Sequence, residues 1–551
     1  MVTIKIKKAE KNMGDKSLFI SFDFNYQILD FIKSLPSRIY NAQTREWEIP
    51  NLYFEKVKNG LLNLGQEIEV LHYEEANKPV TYNYQFKTQP LNHQLEAINY
   101  GLQRDCFLLA DDMGLGKSKE ALDICMIRKS LNQVSKCLIV CGVNALKWNW
   151  IEEIKKHTNE NGWIIGQRKN KKGKIKIGST EDKVEDLKNL CGNNFFMITN
   201  IETLRNNDFV KNAQKLIDQN KIQMIIFDEA HCCRNPKASQ TKGLLKLKAK
   251  YLLPMSGTFM LNRPLDLFVP LCWTNYYKDS YWRFENSFIN KDDFGNINGL
   301  KNFDLLRDIL KNCMLRRKKE DVLDLPEKTF INEYIEMTDK QKDIYEEVME
   351  GLRANIDKIR ISHNPQVEII RARQATGYPG ILSSTCNESA KMNRLVELVE
   401  EISANGYKCL VFSNWAEMIE IAANYLEKYN PIKITGRYSE QVIEEEKNKF
   451  KNDSSCKVAC GTIGKMGTGL TLTEANYVIF LDEPWTMGNK NQAADRVHRI
   501  GQKNNVTIIT LICKDTIDEK VNMLVEKKGA VTDLLIDGKF DNSKLADFLL
   551  Y

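Results

Sequence analysis

Three stretches of the chain combine residue types that handle phosphate. The first is DDMGLGKS (111–118), which follows the apolar run CFLLA (106–110) and precedes a helical pattern with Ala121, Leu122, Cys125 and Leu131 on its inner face. A strand, a glycine-containing loop and a helix N-terminus aim backbone N–H groups at an anion, so the segment reads as a cradle for nucleotide β- and γ-phosphates. Gly114 and Gly116 allow close backbone approach, Lys117 neutralises phosphate charge, and Ser118 is suited to ligate Mg2+. The strict GxxxxGK[ST] spacing fails at its first position, where Asp111 stands, and this reads as the mark of a subclass.

The second stretch is DEAH (228–231), which continues the apolar run MIIF (224–227). Paired carboxylates at a strand end lie at a sheet edge, beside the phosphates if both segments share one sheet. Asp228 is then expected to hold Mg2+, and Glu229 to orient or deprotonate the attacking water. Two readings of His231 stay open: a coupling group or a loop cap. SGT (256–258), after the next apolar run, reads either as a link from the phosphate site or as a polar turn.

The third stretch is QAADRVHRIGQ (492–502). On a helix Gln492, Arg496 and Arg499 would share one face. In a second α/β lobe the arginines look like fingers reaching a γ-phosphate bound in the first. Just upstream, GKMGTGLTLT (464–473) offers N–H groups at Gly467 and Gly469 to a sugar–phosphate backbone. Two basic clusters remain ambiguous. RKNKKGKIK (168–176), with Lys171 and Lys172 at its centre, is a phosphate contact or a solvated loop. Arg316, Arg317, Lys318 and Lys319 would bind phosphate or an acidic partner helix.

Elements must exist to position these residues. Apolar runs at 106–110, 137–142, 195–199, 224–228 and 251–256 alternate with helical patterns, and a second set follows at 408–413, 432–435, 457–461, 477–482 and 506–512. Continuous apolar runs separated by helices indicate parallel sheets covered on both faces. The expected fold class is α/β, with two tandem lobes over 86–325 and 326–551, short helical insertions and a small α+β unit over 1–80. In that unit ISFDF (20–24) reads as a strand, 26–35 and 52–65 as helices, and 37–50 as strand, turn, strand.

Composition fits this picture. The 551 residues exceed one core, and 42% apolar with 28% charged residues is ordinary for a globular chain. No apolar run approaches the length of a membrane span, and the N-terminus lacks the apolar core of a secretory signal. The net charge of +6 permits nucleic-acid binding without requiring it, and residues 1–80 are neutral, with 11 basic and 11 acidic side chains. The 14 cysteines form no CxxC pair, so buried reduced thiols in a cytosolic, nucleoid-associated protein are expected.

Taken in order, these segments resemble the Swi/Snf-type DNA-dependent ATPases of helicase superfamily two, the DEAH-box class, over roughly 88–530. LNHQLEAINYGL (91–102) looks like the glutamine motif, VNALKWNWIEEI (143–154) like the next, with Trp150 and Glu153 in the usual places, and MLRRKKEDVLDLPEK (314–328), KCLVFSNW (408–415), TGLTLTEANYVIFLDEPW (468–485) and DRVHRIGQ (495–502) follow. The resemblance implies RecA-like lobes and ATP bound by Gln94, on the adenine, and by Asp112, Met113, Gly114, Leu115, Gly116, Lys117 and Ser118. Mg2+ would sit near Ser118 and Asp228, with Lys117, Asp228, Glu229, Gln492, Arg496 and Arg499 as the catalytic set. Gly467, Thr468 and Gly469 would contact DNA, although KMGTGLTL departs from the usual AGGxGxNL. LPSRIYNAQTREWEIP (35–50) is similar to the HARP domain of annealing helicases, through Arg38, Tyr40, Trp47 and Pro50. The implied activity is a monomeric translocase on duplex or forked DNA, working with replication or repair proteins and no membrane. The alternatives are a strand-separating DEAH-box helicase and a DNA-binding module with a dead ATP site.

Overall fold

Short apolar runs with helical crossovers build this chain. The computed structural model describes residues 2–8, 16–35, 38–72, 80–144, 146–169, 175–260, 264–291, 297–323, 325–354, 366–383, 386–467, 472–499 and 501–532. The chain divides into two compact units. The first spans residues up to 318, and the second holds 319–531 together with 113–115.

The first unit opens with a mixed sheet. Its strands are β1 (Val2–Lys8), β2 (Lys16–Phe22), β3 (Ile39–Asn41), β4 (Glu46–Pro50) and β5 (Ile68–His72), in the order β3-β4-β2-β1-β5. β5 runs parallel to β1 and the other pairs are antiparallel. Helices α1 (Tyr26–Ser34) and α2 (Phe54–Asn63) cover one face, burying Ile28, Ile32, Val57 and Leu61 against Ile4, Ile20 and Ile49. Asn25 caps α1 by accepting from the N–H groups of Gln27 and Ile28. β1 and β5, which the sequence reading did not include, complete the sheet. Leu305, far along the chain, packs on the same core.

The main sheet of this unit contains β6 (Leu108–Leu109), β7 (Cys137–Cys141), β8 (Gly162–Ile164), β11 (Phe196–Asn200), β12 (Met224–Asp228), β13 (Tyr251–Met255) and β16 (Met314–Leu315). Two small hairpins stand apart from it, β9 (Gln167–Lys169) with β10 (Ile175–Ile177) and β14 (Ile289–Lys291) with β15 (Ile297–Leu300). The order is β16-β6-β13-β12-β7-β11-β8, and every pair is parallel. Helices α3 (Asn92–Leu102), α4 (Lys117–Ser130) and α5 (Leu146–His157) pack beside it. α4 is not amphipathic as expected: Lys119 to Arg128 are all buried. Its charges are paired instead, Lys119 with Asp123 at 2.5 Å, and Arg128 with the carbonyls of Gly101 and Arg104.

The second unit is a six-stranded parallel sheet, ordered β17-β22-β21-β18-β20-β19. Its strands are β17 (Lys328–Ile335), β18 (Cys409–Ser413), β19 (Ile432–Ile434), β20 (Val458–Thr462), β21 (Tyr477–Phe480) and β22 (Val506–Cys513). Two apolar clusters line its faces, one around Phe412, Phe450 and Phe480, the other around Leu395, Ile419 and Leu511. The units part between Lys318 and Lys319, whereas the sequence reading divides the lobes after 325. No helix among the described residues is long and apolar enough to cross a membrane.

Candidate active site

α4 begins at Lys117, and Gly116 before it holds φ 89° and ψ 33°, a left-handed conformation that glycine adopts without strain. A Cβ at Gly116 would collide with Nε2 of Gln94, so the loop closes against that glutamine. Oε1 of Gln94 accepts from the N–H of Leu91 at 3.0 Å, which fixes the side chain at the start of α3. Lys117 Nζ donates to the carbonyls of Asp111 at 2.7 Å and Asp112 at 3.2 Å. Ser118 follows on the first turn, half-buried.

β12 delivers the acidic pair. The N–H of Gly142, just past β7, donates to the Asp228 carbonyl at 2.8 Å, and a Cβ at Gly142 would lie 2.6 Å from the Glu229 carbonyl. Trp150 Nε1 donates to Asp228 Oδ2 at 3.0 Å, and the Glu229 N–H donates to Oδ1 at 3.0 Å. Glu229 sits in the left-handed region at φ 53°. Burial, and next the charge of Glu229, push the Asp228 carboxyl up to about 7, against the pull of Trp150 and Lys117. Leu109, just before the 111–118 loop, pairs with Met255, and Met255 with Asp228, so Lys117's loop and the acids lie at the same edge of one sheet.

His231 Nδ1 lies 3.1 Å from Ser256 Oγ and 3.1 Å from Glu229 Oε2. Burial opposes its protonation, but its bonds to Cys232 and Glu229 prevail and raise it to about 10, so it is a cation at neutral pH. Ser256 Oγ also accepts from the N–H of Thr258 at 3.1 Å. His231 thus joins the acids to the SGT segment within this unit.

Sequence reasoning missed the role of the two arginines after β16. Arg316 donates to the carbonyls of Ala110 at 2.7 Å and Gly257 at 3.1 Å, and pairs with Asp112 at 2.9 Å. Arg317 pairs with both Asp111 and Glu120 and donates to the His93 carbonyl. Neither they nor Lys319 form the outward phosphate or partner site that the sequence suggested. Lys319 pairs with Asp495 at 2.7 Å and donates to the His498 carbonyl at 2.7 Å. A signal was present at Asp111, since an acid in a glycine position calls for a cation.

In the second unit, helix Met487–Ala494 carries Gln492, whose buried Nε2 has no hydrogen-bond partner among the described residues. The helix ends there, so the expectation that Gln492, Arg496 and Arg499 share one helical face is corrected. Asp495 is the C-cap, held by Lys319 and, at 3.7 Å, by Lys328, and the arginines stand on the turn that follows. Arg496 Nε donates back to the Gln492 carbonyl at 3.2 Å. Gly467 ends a short helix, Ile463–Met466, and its N–H donates to the Ile463 carbonyl at 3.0 Å. Thr468, Gly469, Lys171 and Lys172 lie outside the described residues. Arg168, at the edge of the basic stretch, pairs with Asp186 at 2.9 Å and Asp182 at 3.3 Å. Among the described residues no three His, Cys, Asp or Glu gather into a metal cluster.

In the N-terminal sheet the rings of Tyr40 and Trp47 lie 5.0 Å apart, and Tyr40 is exposed. Arg38 is turned inward and donates to the Leu35 carbonyl at 2.5 Å.

Known proteins resemble this chain along most of its length. The SNF2-related domain matches residues 93–391, and the helicase conserved C-terminal domain matches 390–501. An uncharacterised ATP-dependent helicase of Mycoplasma pneumoniae is 27% identical over 81% of the chain and 42% of its own length. A Caenorhabditis elegans homolog of the SWI/SNF-related matrix-associated actin-dependent regulator of chromatin subfamily A-like protein 1 is 28% identical over 95% of the chain and 75% of its own length. The DNA annealing helicase and endonuclease ZRANB3 of Bos taurus is 26% identical over 82% of the chain and 41% of its own length. The chain thus spans less than half the length of two of these three relatives. A solved Sulfolobus solfataricus SWI2/SNF2 ATPase core in complex with dsDNA aligns over 86% of this chain and 99% of that one, at 25% identity and a TM-score of 0.38. With more than half of its residues inside the first of these domains, the chain belongs to the SNF2-related family.

Proposed function

We propose that the chain hydrolyses ATP and uses the energy to move along duplex or forked DNA. The observation that carries this reading is the shared sheet edge: Leu109, just before the loop of Lys117, pairs with Met255, and Met255 pairs with Asp228, so the loop and the Asp228–Glu229 pair stand at the same end of the first unit's parallel sheet. Lys117 and the N–H groups at the start of α4 hold the phosphates, and Gln94, packed against Gly116, takes the adenine. The donors fit Mg2+: a hydroxyl at Ser118, and at Asp228 a buried carboxyl whose raised pKa reports charge that a divalent cation would offset. When bound, Mg2+ supplies charge neutralisation at the phosphates. Glu229, held in a left-handed turn beside the His231 cation, orients the attacking water and takes its proton. Arg496 and Arg499 serve as arginine fingers, with Gln492 beside them, and Gly467 to Gly469 touch the DNA backbone.

Support for DNA as the polymer comes from the relatives, two of which carry DNA or chromatin in their names. The N-terminal sheet extends the reading to forks through its likeness to the HARP domain, with the exposed Tyr40 ring against Trp47 as a stacking surface. Lys117→Ala is expected to abolish hydrolysis while DNA affinity stays within about threefold, and Arg499→Ala to keep ATP binding and lose at least about 10³ in turnover. Robust hydrolysis by the lysine variant would remove the phosphate-loop assignment. Tyr40→Ala should lower affinity for a fork more than for blunt duplex, and equal losses on both would end the fork reading.

A further inference from the structure

Asp111 occupies the position where a strict phosphate loop has its first glycine, and it is fully buried. An ionised carboxylate in that setting is costly unless a cation and hydrogen bonds surround it. Arg317 provides both. Its backbone N–H donates to Asp111 Oδ1 at 3.0 Å, its Nε to the same oxygen at 3.2 Å, and its Nη2 to Oδ2. The same Nη2 meets Glu120 Oε1 at 2.9 Å, and Nη1 donates to the His93 carbonyl. The three partners lie on three different parts of the nucleotide cradle. Asp111 opens the loop, Glu120 sits on the first turn of α4 two residues after Ser118, and His93 adjoins Gln94. The carbonyls of Asp111 and Asp112 hold Lys117, so whatever fixes Asp111 also fixes the lysine.

We infer that Arg317 is a positioning residue that sets the phosphate loop through Asp111, in place of the conformational freedom a glycine would give. The inference rests on the reading of 111–118 as an ATP cradle. It assigns Asp111 a partner and a purpose, and it makes the two residues one unit. Only a planar fork can meet the two buried carboxylates and a carbonyl at once, with the exposed Glu96 3.7 Å away as well, so lysine is not an adequate replacement despite its equal charge. Glu120 belongs to the same unit: it is fully buried, and its Oε1 meets Nη2 of Arg317 at 2.9 Å.

The test uses the whole chain and two readouts, binding of a fluorescent ATP analogue and steady-state turnover with DNA present. Arg317→Lys should raise KM for ATP and the analogue Kd by about tenfold, with kcat within about threefold and DNA affinity unchanged. Arg317→Gln leaves two buried acids facing each other and can fail to fold, so the paired variant Asp111→Asn with Arg317→Gln replaces the ionic contact with a neutral one. Its loss of ATP affinity should be no greater than that of the worse single variant, because the residues act together. Losses that add would overturn the inference. So would Arg317→Lys protein with wild-type KM, even if its melting temperature has fallen. Wild-type protein that binds no analogue overturns the ATP reading and takes this inference with it.

Discussion

An Asp–Glu pair stands at a strand end in both units, and the two pairs have different surroundings. In the first unit Asp228 ends β12, with Glu229 next to it and His231 3.1 Å from Glu229. In the second, Asp482–Glu483 follows β21 by one residue. There Asp482 accepts from Ser413 Oγ at 2.5 Å and from the Asn414 N–H at 3.0 Å, with Arg373 at 3.8 Å. Glu483 pairs with Lys490 at 3.0 Å, both side chains buried. Arg373, fully buried, lies over the Trp485 ring at 4.3 Å from its centroid. Burial raises both acids of the second pair, yet cations surround them. The same dipeptide at the same kind of sheet edge is structural where cations close around it. It becomes a candidate for catalysis in the first unit, where Asp228 is held by Trp150 and the Glu229 N–H, and Glu229 by a histidine, His231.

Substitutions at matched positions break this comparison. The largest effect is expected from Glu229→Gln, which should lower ATP turnover by about 10² to 10⁴ while ATP binding persists. Glu483→Gln leaves Lys490 buried without its partner, which costs on the order of 3–5 kcal/mol of stability. Turnover per folded molecule should stay within about twofold. Denaturant titration and steady-state ATPase on both variants read out the two effects. If Glu483→Gln cuts turnover as deeply as Glu229→Gln at full stability, the two pairs are not different in kind.

Next in size is Trp150→Phe, which removes the hydrogen bond to Asp228 and keeps the ring. Losing a bond to a charged group costs about 1.5–3 kcal/mol, so kcat should fall by roughly tenfold or more. Ser413→Ala makes the matching change at Asp482. It should shift the melting temperature by a few degrees and leave kcat alone. A kcat loss in Ser413→Ala comparable with that in Trp150→Phe would blur the distinction that the hydrogen bonds draw.

Much of this was readable from residue order. The ten strands expected in the two lobes all form, because runs such as CLIVC and YVIF are too short and too apolar for anything but a buried parallel sheet. In the two large parallel sheets the strands that escaped notice, β8, β16 and β17, have physical excuses. β8 and β16 are three and two residues long, and β17 is an edge strand with exposed Phe330, Ile331 and Tyr334. The loop and its acids were legible because glycine, lysine and paired carboxylates are recognisable by type. The placement of Arg316 and Arg317 was not, since it depends on a pairing across 206 residues between Asp111 and Arg317. Those arginines read as binders of phosphate or an acidic partner helix, and only their ion pairs with Asp112, Asp111 and Glu120 show where they go. The helix expected to carry Arg496 and Arg499 stops at Ala494, and Asp495, its C-cap, pairs with Lys319 and Lys328, far back in the sequence.

The most direct measurement is the steady-state ATPase rate of the wild-type chain with no DNA, single strand, blunt duplex and a model fork, at two salt concentrations. Strong stimulation by duplex or fork over single strand is expected, weakened as salt rises and phosphate contacts are screened. Stimulation mainly by single strand would point instead to a strand-separating helicase, and a rate that no DNA changes would contradict the account.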